Sequence, residues 1–107
     1  MLSAEMELQD ELDAAIAEGV VLIEFNAPWC APCRAQDPII SELKKSFLGR
    51  ARIAKVNIDD CQEVAMRLSI QSIPTVILFK EGREIGRFVG LQNAETLARA
   101  ITDALKK

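Results

Sequence analysis

Histidine is absent from this 107-residue chain, and its absence excludes several kinds of site. Histidine is the usual general base of enzymes and the commonest metal ligand, and no Cys–His nucleophile can form without it. Long apolar runs are also missing, because no stretch of about 18 apolar residues occurs, so we expect no membrane span. The formal net charge of −3 argues against non-specific binding to nucleic acid.

Cysteine is scarce, with three residues in the chain. That number is odd and too small for a scaffold held together by disulfides, so we expect a reducing, cytoplasmic setting. The first seven residues contain neither a basic region nor an apolar core, so no secretory signal is predicted. The length predicts a single domain over residues 1–107, and half of the residues are hydrophobic, which is enough to form a core.

Two of the cysteines, Cys30 and Cys33, stand one helical turn apart between an apolar run at residues 20–25 and a helical pattern at residues 34–47. This order predicts a junction between a buried strand and a helix. Backbone N–H groups at the start of a helix are unpaired and the helix dipole is positive there, so both favour a thiolate. The pair is therefore predicted to be a dithiol–disulfide switch, with Cys30 as the more exposed nucleophile and Cys33 as the buried resolving thiol.

A zinc site is the alternative for this pair. Zinc usually needs four Cys or His ligands, and Cys61 is the only other candidate in the chain. We therefore expect no metal and no bound cofactor. Cys61 itself is either a regulatory thiol or a passive small residue. The two acidic residues before it oppose thiolate formation, which favours the passive alternative.

The predicted elements alternate between strands and helices. The first half has an ambiguous edge strand at residues 4–9, a helix from Asp10 to Gly19, strand Val20–Phe25, and a helix Arg34–Phe47 that is kinked at Pro38 and ended by Gly49. Next come strand Ala51–Ile58 and a helix that is capped by Asp59 or Asp60 and runs to Leu68. The chain closes with strand Thr75–Phe79, a turn at Glu81-Gly82, strand Arg83–Val89 with a bulge near Gly86, and a last helix capped by Asn93. This alternation predicts a parallel core with helices on both faces and a closing antiparallel hairpin. The loops at Cys30 and at Asp59–Cys61 should share the carboxyl end of that sheet.

Taken together, these segments resemble the thioredoxin family over nearly the whole chain. The matching segments are residues 29–33 (Trp-Cys-Ala-Pro-Cys, where the family has Trp-Cys-Gly-Pro-Cys), Pro38, residues 55–59, residues 73–75, residues 79–82 and Val89-Gly90. Two positions depart from the family pattern: Ala31 replaces the usual glycine, which can shift the reduction potential, and Glu24 stands where the family has a buried aspartate. The resemblance implies a thioredoxin fold, an α/β architecture with a mixed sheet of four to five strands.

Glu24 is the one charged residue in an apolar strand, so burial should keep its carboxyl protonated to a higher pH than usual. The resemblance implies that it exchanges a proton with Cys33. Lys55 alternates with Ile53 on its strand and is predicted to be the partner of Glu24 in the site. The alternative to the proton-transfer role is that Glu24 only forms an ion pair with Lys55. The resemblance also implies a cis peptide bond before Pro74, which leaves the Ile73 backbone available to an extended substrate.

The resemblance further implies a protein-docking surface around Cys30. Its residues are Trp29, Ala31, Pro32, Ile73, Pro74, Val89, Gly90 and Leu91. The implied activity is that of a monomeric protein disulfide reductase that is re-reduced by a flavin-containing or ferredoxin-linked thioredoxin reductase. The other readings are an exported oxidase or isomerase, a specialised redox partner, and a redox-inert binding module.

Overall fold

The computed structural model describes residues 11–106, and the predicted strand at residues 4–9 and the Asp10 cap lie outside them. The described chain forms four helices and one four-stranded sheet. In chain order these are α1 (11–16), β1 (Val20–Asn26), α2 (Ala31–Ser46), β2 (Arg52–Asn57), α3 (Gln62–Arg67), β3 (Thr75–Lys80), β4 (Arg83–Val89) and α4 (Ala94–Leu105).

The sheet has the order β2-β1-β3-β4, and it is mixed. Strand β1 is parallel to β2 but antiparallel to β3, so the predicted parallel core is restricted to one strand pair and is otherwise wrong. Helix α3 has six residues and rises only about 9 Å, whereas a six-residue strand extends about 20 Å, so the helix does not carry the chain back along the full length of β2. The chain therefore re-enters the sheet from the end at which β2 finished.

Both faces of β1 are buried, as its unbroken apolar sequence predicts. Val20 and Leu22 pack with residues of α2 and α4 on one face. Val21, Ile23 and Phe25 pack with residues of α1 and α3 on the other. The sheet is thus the middle of three layers, with the end of β1 held rigidly between two apolar cores.

The helix that follows β1 begins at Ala31, three residues earlier than predicted, and continues through Pro38 to Ser46. Proline in the first turn is compatible with this start, because the N–H that it lacks has no partner in the helix. Gly49 does not end the helix. It adopts φ +84° in the turn that leads to β2.

The remaining local predictions have mixed outcomes. Neither Asp59 nor Asp60 caps α3, whose N-cap is Cys61. The bulge is confirmed, because the β3–β4 register passes from Gly86 to Glu84 and skips one residue. The cap of α4 is also confirmed, because the Asn93 side chain accepts a hydrogen bond from the Thr96 N–H at 2.8 Å.

Candidate active site

Cys30 and Cys33 form a disulfide at the point where β1 passes into α2, with their Cα atoms 5.3 Å apart. Cys30 is the N-cap of α2, and its sulfur accepts a hydrogen bond from the Cys33 N–H at 3.2 Å. No acidic residue lies in the first turn. In the reduced form, this helix terminus would favour a thiolate on Cys30 through its backbone N–H groups and its dipole.

The two cysteines differ less in exposure than the sequence suggested. Cys30 is 5% exposed and Cys33 is 2% exposed, so both are buried. They pack with Ala27, and the partly buried Ile58 and Ile73 border the same cluster. Chemistry at the disulfide therefore requires a substrate to approach across the rim formed by neighbouring loops.

The loop before β3 forms one side of that rim. The Ile73–Pro74 peptide bond is cis, as the resemblance implies. Because β3 runs antiparallel to β1, its first residue Thr75 pairs with Phe25 at the end of β1. This direction brings Pro74 to the same edge of the sheet as the disulfide, whereas a parallel β3 would have placed it at the far edge.

A second loop, at the end of β4, is joined to the first. Val89 pairs with Thr75, and the Gly90 N–H donates to the Pro74 carbonyl at 2.8 Å. Gly90 adopts φ +89°, a conformation that an L-residue with a side chain rarely takes. The predicted docking residues of both loops are thus brought to one edge of the fold.

The predicted docking surface is apolar and open to solvent. Trp29, Val89 and Leu91 are 65%, 59% and 53% exposed. Ala31 and Pro32 are also exposed, Ile73 and Gly90 are half-buried, and Pro74 is buried. Large exposed apolar side chains grouped beside a reactive site are typical of a protein contact surface.

Two site residues have partners that the sequence reasoning missed. The Trp29 Nε1–H donates to Asp59 Oδ2 at 3.1 Å, so the supposed helix cap instead holds the tryptophan. Gln36 is fully buried, and its side chain donates to the Gln92 carbonyl at 3.0 Å and accepts from the Gln92 N–H at 2.8 Å. The available signal was the polar type of Gln36 on the helix face that also carries Cys33 and Ile40.

Glu24 is fully buried in β1. Its Oε1 accepts a hydrogen bond from the Asn26 side chain at 2.9 Å. Burial raises the pKa of Glu24 from an ordinary 4.5 to about 7, and the nearby Asp37 carboxyl raises it as well, while Asn26 and Lys55 act in the opposite direction. A carboxyl that titrates near neutral pH can both accept and donate a proton under ordinary conditions.

Lys55 does not form the predicted ion pair with Glu24. The two residues are neighbours in the β1–β2 register, yet the Lys55 Nζ lies 3.4 Å from Asp37 Oδ1 on α2. The half-exposed Asp37 draws the ammonium group away from the fully buried position, because a charge that keeps contact with water loses less hydration. Lys55 therefore influences Glu24 only through its charge.

Cys61 lies at the start of α3 with 6% exposure and packs in the apolar cluster beneath that helix. It forms no disulfide with Cys30 or Cys33, which are joined to each other. Its packing among apolar side chains, directly after the acidic Asp59 and Asp60, supports the prediction of a passive residue.

Within residues 11–106, no three Cys, Asp or Glu side chains are grouped so that they could hold a metal ion. None of the helices in that range is both long enough and apolar enough to cross a bilayer.

The fold and the site define a class of protein: a small mixed-sheet domain that presents a vicinal cysteine pair at a helix N-terminus beside a cis-proline. The protein-family model described as Thioredoxin matches residues 3–103. The chain belongs to the thioredoxin family, and this membership, together with the cysteine pair, supports thiol–disulfide exchange.

Individual relatives agree with this assignment. The chain is 45% identical over 84 residues to a chloroplastic M-type thioredoxin of Triticum aestivum, covering 78% of this chain and 48% of the relative. It is 44% identical over 92 residues to a thioredoxin of Chlamydia pneumoniae, covering 86% and 89%. Among solved structures, a thioredoxin variant of Halobacterium salinarum superposes with a TM-score of 0.84 at 33% identity, over 91% of this chain and 85% of the other. The chain thus spans about half the length of the chloroplastic relative and most of the length of the Chlamydia pneumoniae thioredoxin.

Proposed function

We propose that this chain is a protein disulfide reductase that works by dithiol–disulfide exchange. The observation that carries the proposal is the position of Cys30: its sulfur is the N-cap of α2 and accepts the Cys33 N–H. A thiolate there is stabilised by the helix terminus, and a second thiol lies within bonding distance to complete the exchange.

The reaction has two steps. In the reduced protein, the Cys30 thiolate attacks one sulfur of a target disulfide, which forms a mixed disulfide and releases the other target sulfur as a thiolate. Cys33 then loses its proton and attacks the Cys30 sulfur, which re-forms the Cys30–Cys33 bond and releases the second target thiolate. Two electrons pass to the target, and its thiolates take protons from solvent.

Glu24 is proposed to accept the proton from Cys33 in the second step. It is fully buried on the strand that leads into the site, and burial brings its pKa to about 7. A base of that pKa is well matched to proton transfer at neutral pH.

Substrates are proposed to dock as extended segments on the surface formed by Trp29, Ala31, Pro32, Ile73, Pro74, Val89, Gly90 and Leu91. Backbone pairing beside Ile73 and apolar contact with Trp29 depend little on the side-chain sequence of the substrate. Many protein disulfides should therefore be substrates. The high exposure of Trp29 and Leu91 supports this role.

The protein is proposed to be a monomer that works in a reducing compartment, the cytoplasm. There it would take part in electron transport and in redox homeostasis. A thioredoxin reductase, flavin-containing or ferredoxin-linked, would re-reduce the pair. The scarcity of cysteine supports a reducing compartment. The alternative location is a chloroplast, because a similar thioredoxin is named as chloroplastic.

The test is reduction of a protein disulfide, such as those of insulin, with dithiothreitol as the electron source. We expect wild-type protein to accelerate the reduction strongly. Cys30→Ser should abolish the acceleration, and Cys33→Ser should abolish turnover while it accumulates a covalent complex with the substrate. If Cys33→Ser retains full turnover, or if wild type accelerates nothing while it still binds partners, the chain is a binding module and the proposal is wrong.

A further inference from the structure

Two buried carboxyl oxygens in the core beside α2 have no hydrogen-bond donor among residues 11–106: Glu24 Oε2 and Asp37 Oδ1. A buried acceptor without a donor costs about 1–3 kcal/mol, so two in one place call for an explanation. The Lys55 ammonium lies 3.4 Å from Asp37 Oδ1 but is not oriented to hydrogen-bond it.

Glu24 on β1 and Asp37 on α2 lie close enough to interact both through charge and through a side-chain hydrogen bond. Protonated Glu24 can donate a hydrogen bond to Asp37, and this interaction and the negative charge of Asp37 both favour the protonated form of Glu24. A single proton held between the two groups supplies the missing donor, since one carboxyl then donates to the other.

Asp37 is also placed to reach beyond the core. It lies four residues after Cys33 on α2, so the two side chains are neighbours on one helix face. Its side chain is 44% exposed although its Oδ1 is buried, so the carboxyl group reaches from the core to solvent. Glu24, at 0% exposure, has no such access of its own.

The charges around the pair are few. Within residues 11–106, Lys55 on β2 is the one cation that forms an ion pair with Asp37. Asn26 on β1 is polar but neutral, β3 places the apolar Val76 beside Glu24, and α4 contributes Leu97 and Ile101 to this core. Lys55 is therefore placed to balance one negative charge at this position.

We propose that Glu24 and Asp37 form a proton-sharing carboxyl pair, and that Asp37 is a positioning residue that holds the shared proton and passes it between Glu24 and solvent. This inference rests on the proposed function, because it assigns the route by which the proton of Cys33 leaves the protein.

The proton balance follows from this arrangement. Before the second exchange step, the shared proton moves to Asp37 and leaves Glu24 as a carboxylate. Glu24 takes the proton of Cys33 as the Cys33 sulfur bonds to Cys30 and the Cys30–target bond breaks. The pair then holds two protons, and one of them leaves from the exposed side of Asp37 to water, which restores the ion pair with Lys55.

The first test is a carboxyl ¹³C NMR titration of the disulfide form. Wild type should show the Glu24 carboxyl signal titrating with a pKa of about 7. In Asp37→Asn the Glu24 midpoint should fall by about one unit or more, because both the charge and the acceptor are lost. In Lys55→Met the Glu24 midpoint should rise, because a cation that favours the charged carboxylate is lost. The matched control is Asp13→Asn, since Asp13 is a similarly exposed aspartate in an ion pair with Arg67, and it should leave Glu24 unchanged. An unshifted Glu24 midpoint in Asp37→Asn overturns the pair.

The second test is the pH profile of the single-turnover rate at which Cys33 resolves a preformed Cys30 mixed disulfide. Its midpoint should move with the carboxyl midpoint in Asp37→Asn and stay in place in Asp13→Asn. A profile that does not follow the carboxyl shift overturns the relay. Glu24→Gln distinguishes failure of the relay through Asp37 from failure of the proposed proton transfer to Glu24. If Glu24→Gln keeps the wild-type pH profile, Glu24 does not accept the proton of Cys33, whatever the result for Asp37→Asn.

Discussion

Gln36 in the middle of α2 holds the backbone of Gln92 through two hydrogen bonds, although the two residues are 56 positions apart in sequence. The side-chain amide serves Gln92 as a neighbouring strand would, with one bond to its N–H and one to its carbonyl. The segment it holds directly follows the docking residues Val89, Gly90 and Leu91. The helix that carries the cysteine pair thus also fixes the loop on which a substrate would lie.

Gln36→Leu should therefore weaken substrate docking more than chemistry. Loss of both hydrogen bonds should lower the free energy of unfolding by about 2 kcal/mol and raise the KM for a protein substrate several-fold, with a smaller change in kcat. Denaturant unfolding and steady-state kinetics measure the two effects. Gln62→Leu, the same substitution at an exposed glutamine of α3, is the control and should change neither quantity. A KM unchanged in Gln36→Leu contradicts the positioning of this loop.

Glu24 should make the stability of the oxidised protein fall with rising pH. Its folded-state pKa of about 7 lies above the ordinary 4.5, so between these values the folded state binds the proton more tightly than the unfolded state. Stability is greatest below pH 4.5 as far as this group is concerned, and about 3 kcal/mol is lost as the pH rises through 7.

Glu24→Gln should remove that loss and leave the variant more stable than wild type at pH 8. Denaturant unfolding at pH 5 and pH 8 measures the difference. Glu84→Gln is the comparison, since Arg87 lowers the pKa of that exposed carboxyl and its removal should not abolish the fall. Equal slopes in wild type and Glu24→Gln would show that burial does not shift Glu24 as described.

Gly90→Ala should cost stability and docking together. At φ +89° an alanine is strained by about 1–2 kcal/mol, although a Cβ there would meet no atom within 4 Å. The strain should displace the loop that is bonded to Pro74 and raise KM in the insulin assay. Gly49→Ala is a matched control with φ +84° and equally open surroundings, in the turn after α2. It should lose similar stability with kinetics unchanged, and equal effects of both variants on KM would contradict a local role for Gly90.

Cys61→Ala should leave turnover unchanged and lower the free energy of unfolding by about 1 kcal/mol, because the thiol fills a small apolar space beneath α3. In the reduced native protein, Cys61 should react with a bulky thiol reagent more slowly than Cys30, and unfolding should abolish the difference. Rapid modification of Cys61 in the native state, or loss of turnover on its removal, would restore the regulatory interpretation.

Local features were those best predicted from the sequence. The apolar run before Cys30 predicted that the cysteine pair follows a strand. Asn93 predicted the start of the last helix, because its side chain can cap a helix N-terminus, and Gly86 predicted the bulge. Each of these signals acts over a few residues, so neighbouring sequence is sufficient to predict it.

Features that depend on distant contacts were missed. The direction of β3 depends on how far α3 can carry the chain, and a pattern of alternating elements does not contain that length. Lys55 lies opposite Glu24 in register, yet its ammonium pairs with Asp37 because α2 packs over the sheet there. Gln36 and Asp59 found partners 56 and 30 residues away, which no local pattern indicates.

The most direct test of the reductase account is the reduction potential of the Cys30–Cys33 pair, measured by equilibrium with dithiothreitol or glutathione buffers. A reductase should have a potential below that of the cytosolic glutathione pool, roughly −220 to −260 mV by extraction methods, so that the reduced pair donates electrons to protein disulfides. A potential clearly above that range would mean that the pair accepts electrons more readily than it donates them. The chain would then act as an oxidant or isomerase, which contradicts its proposed role as a reductant.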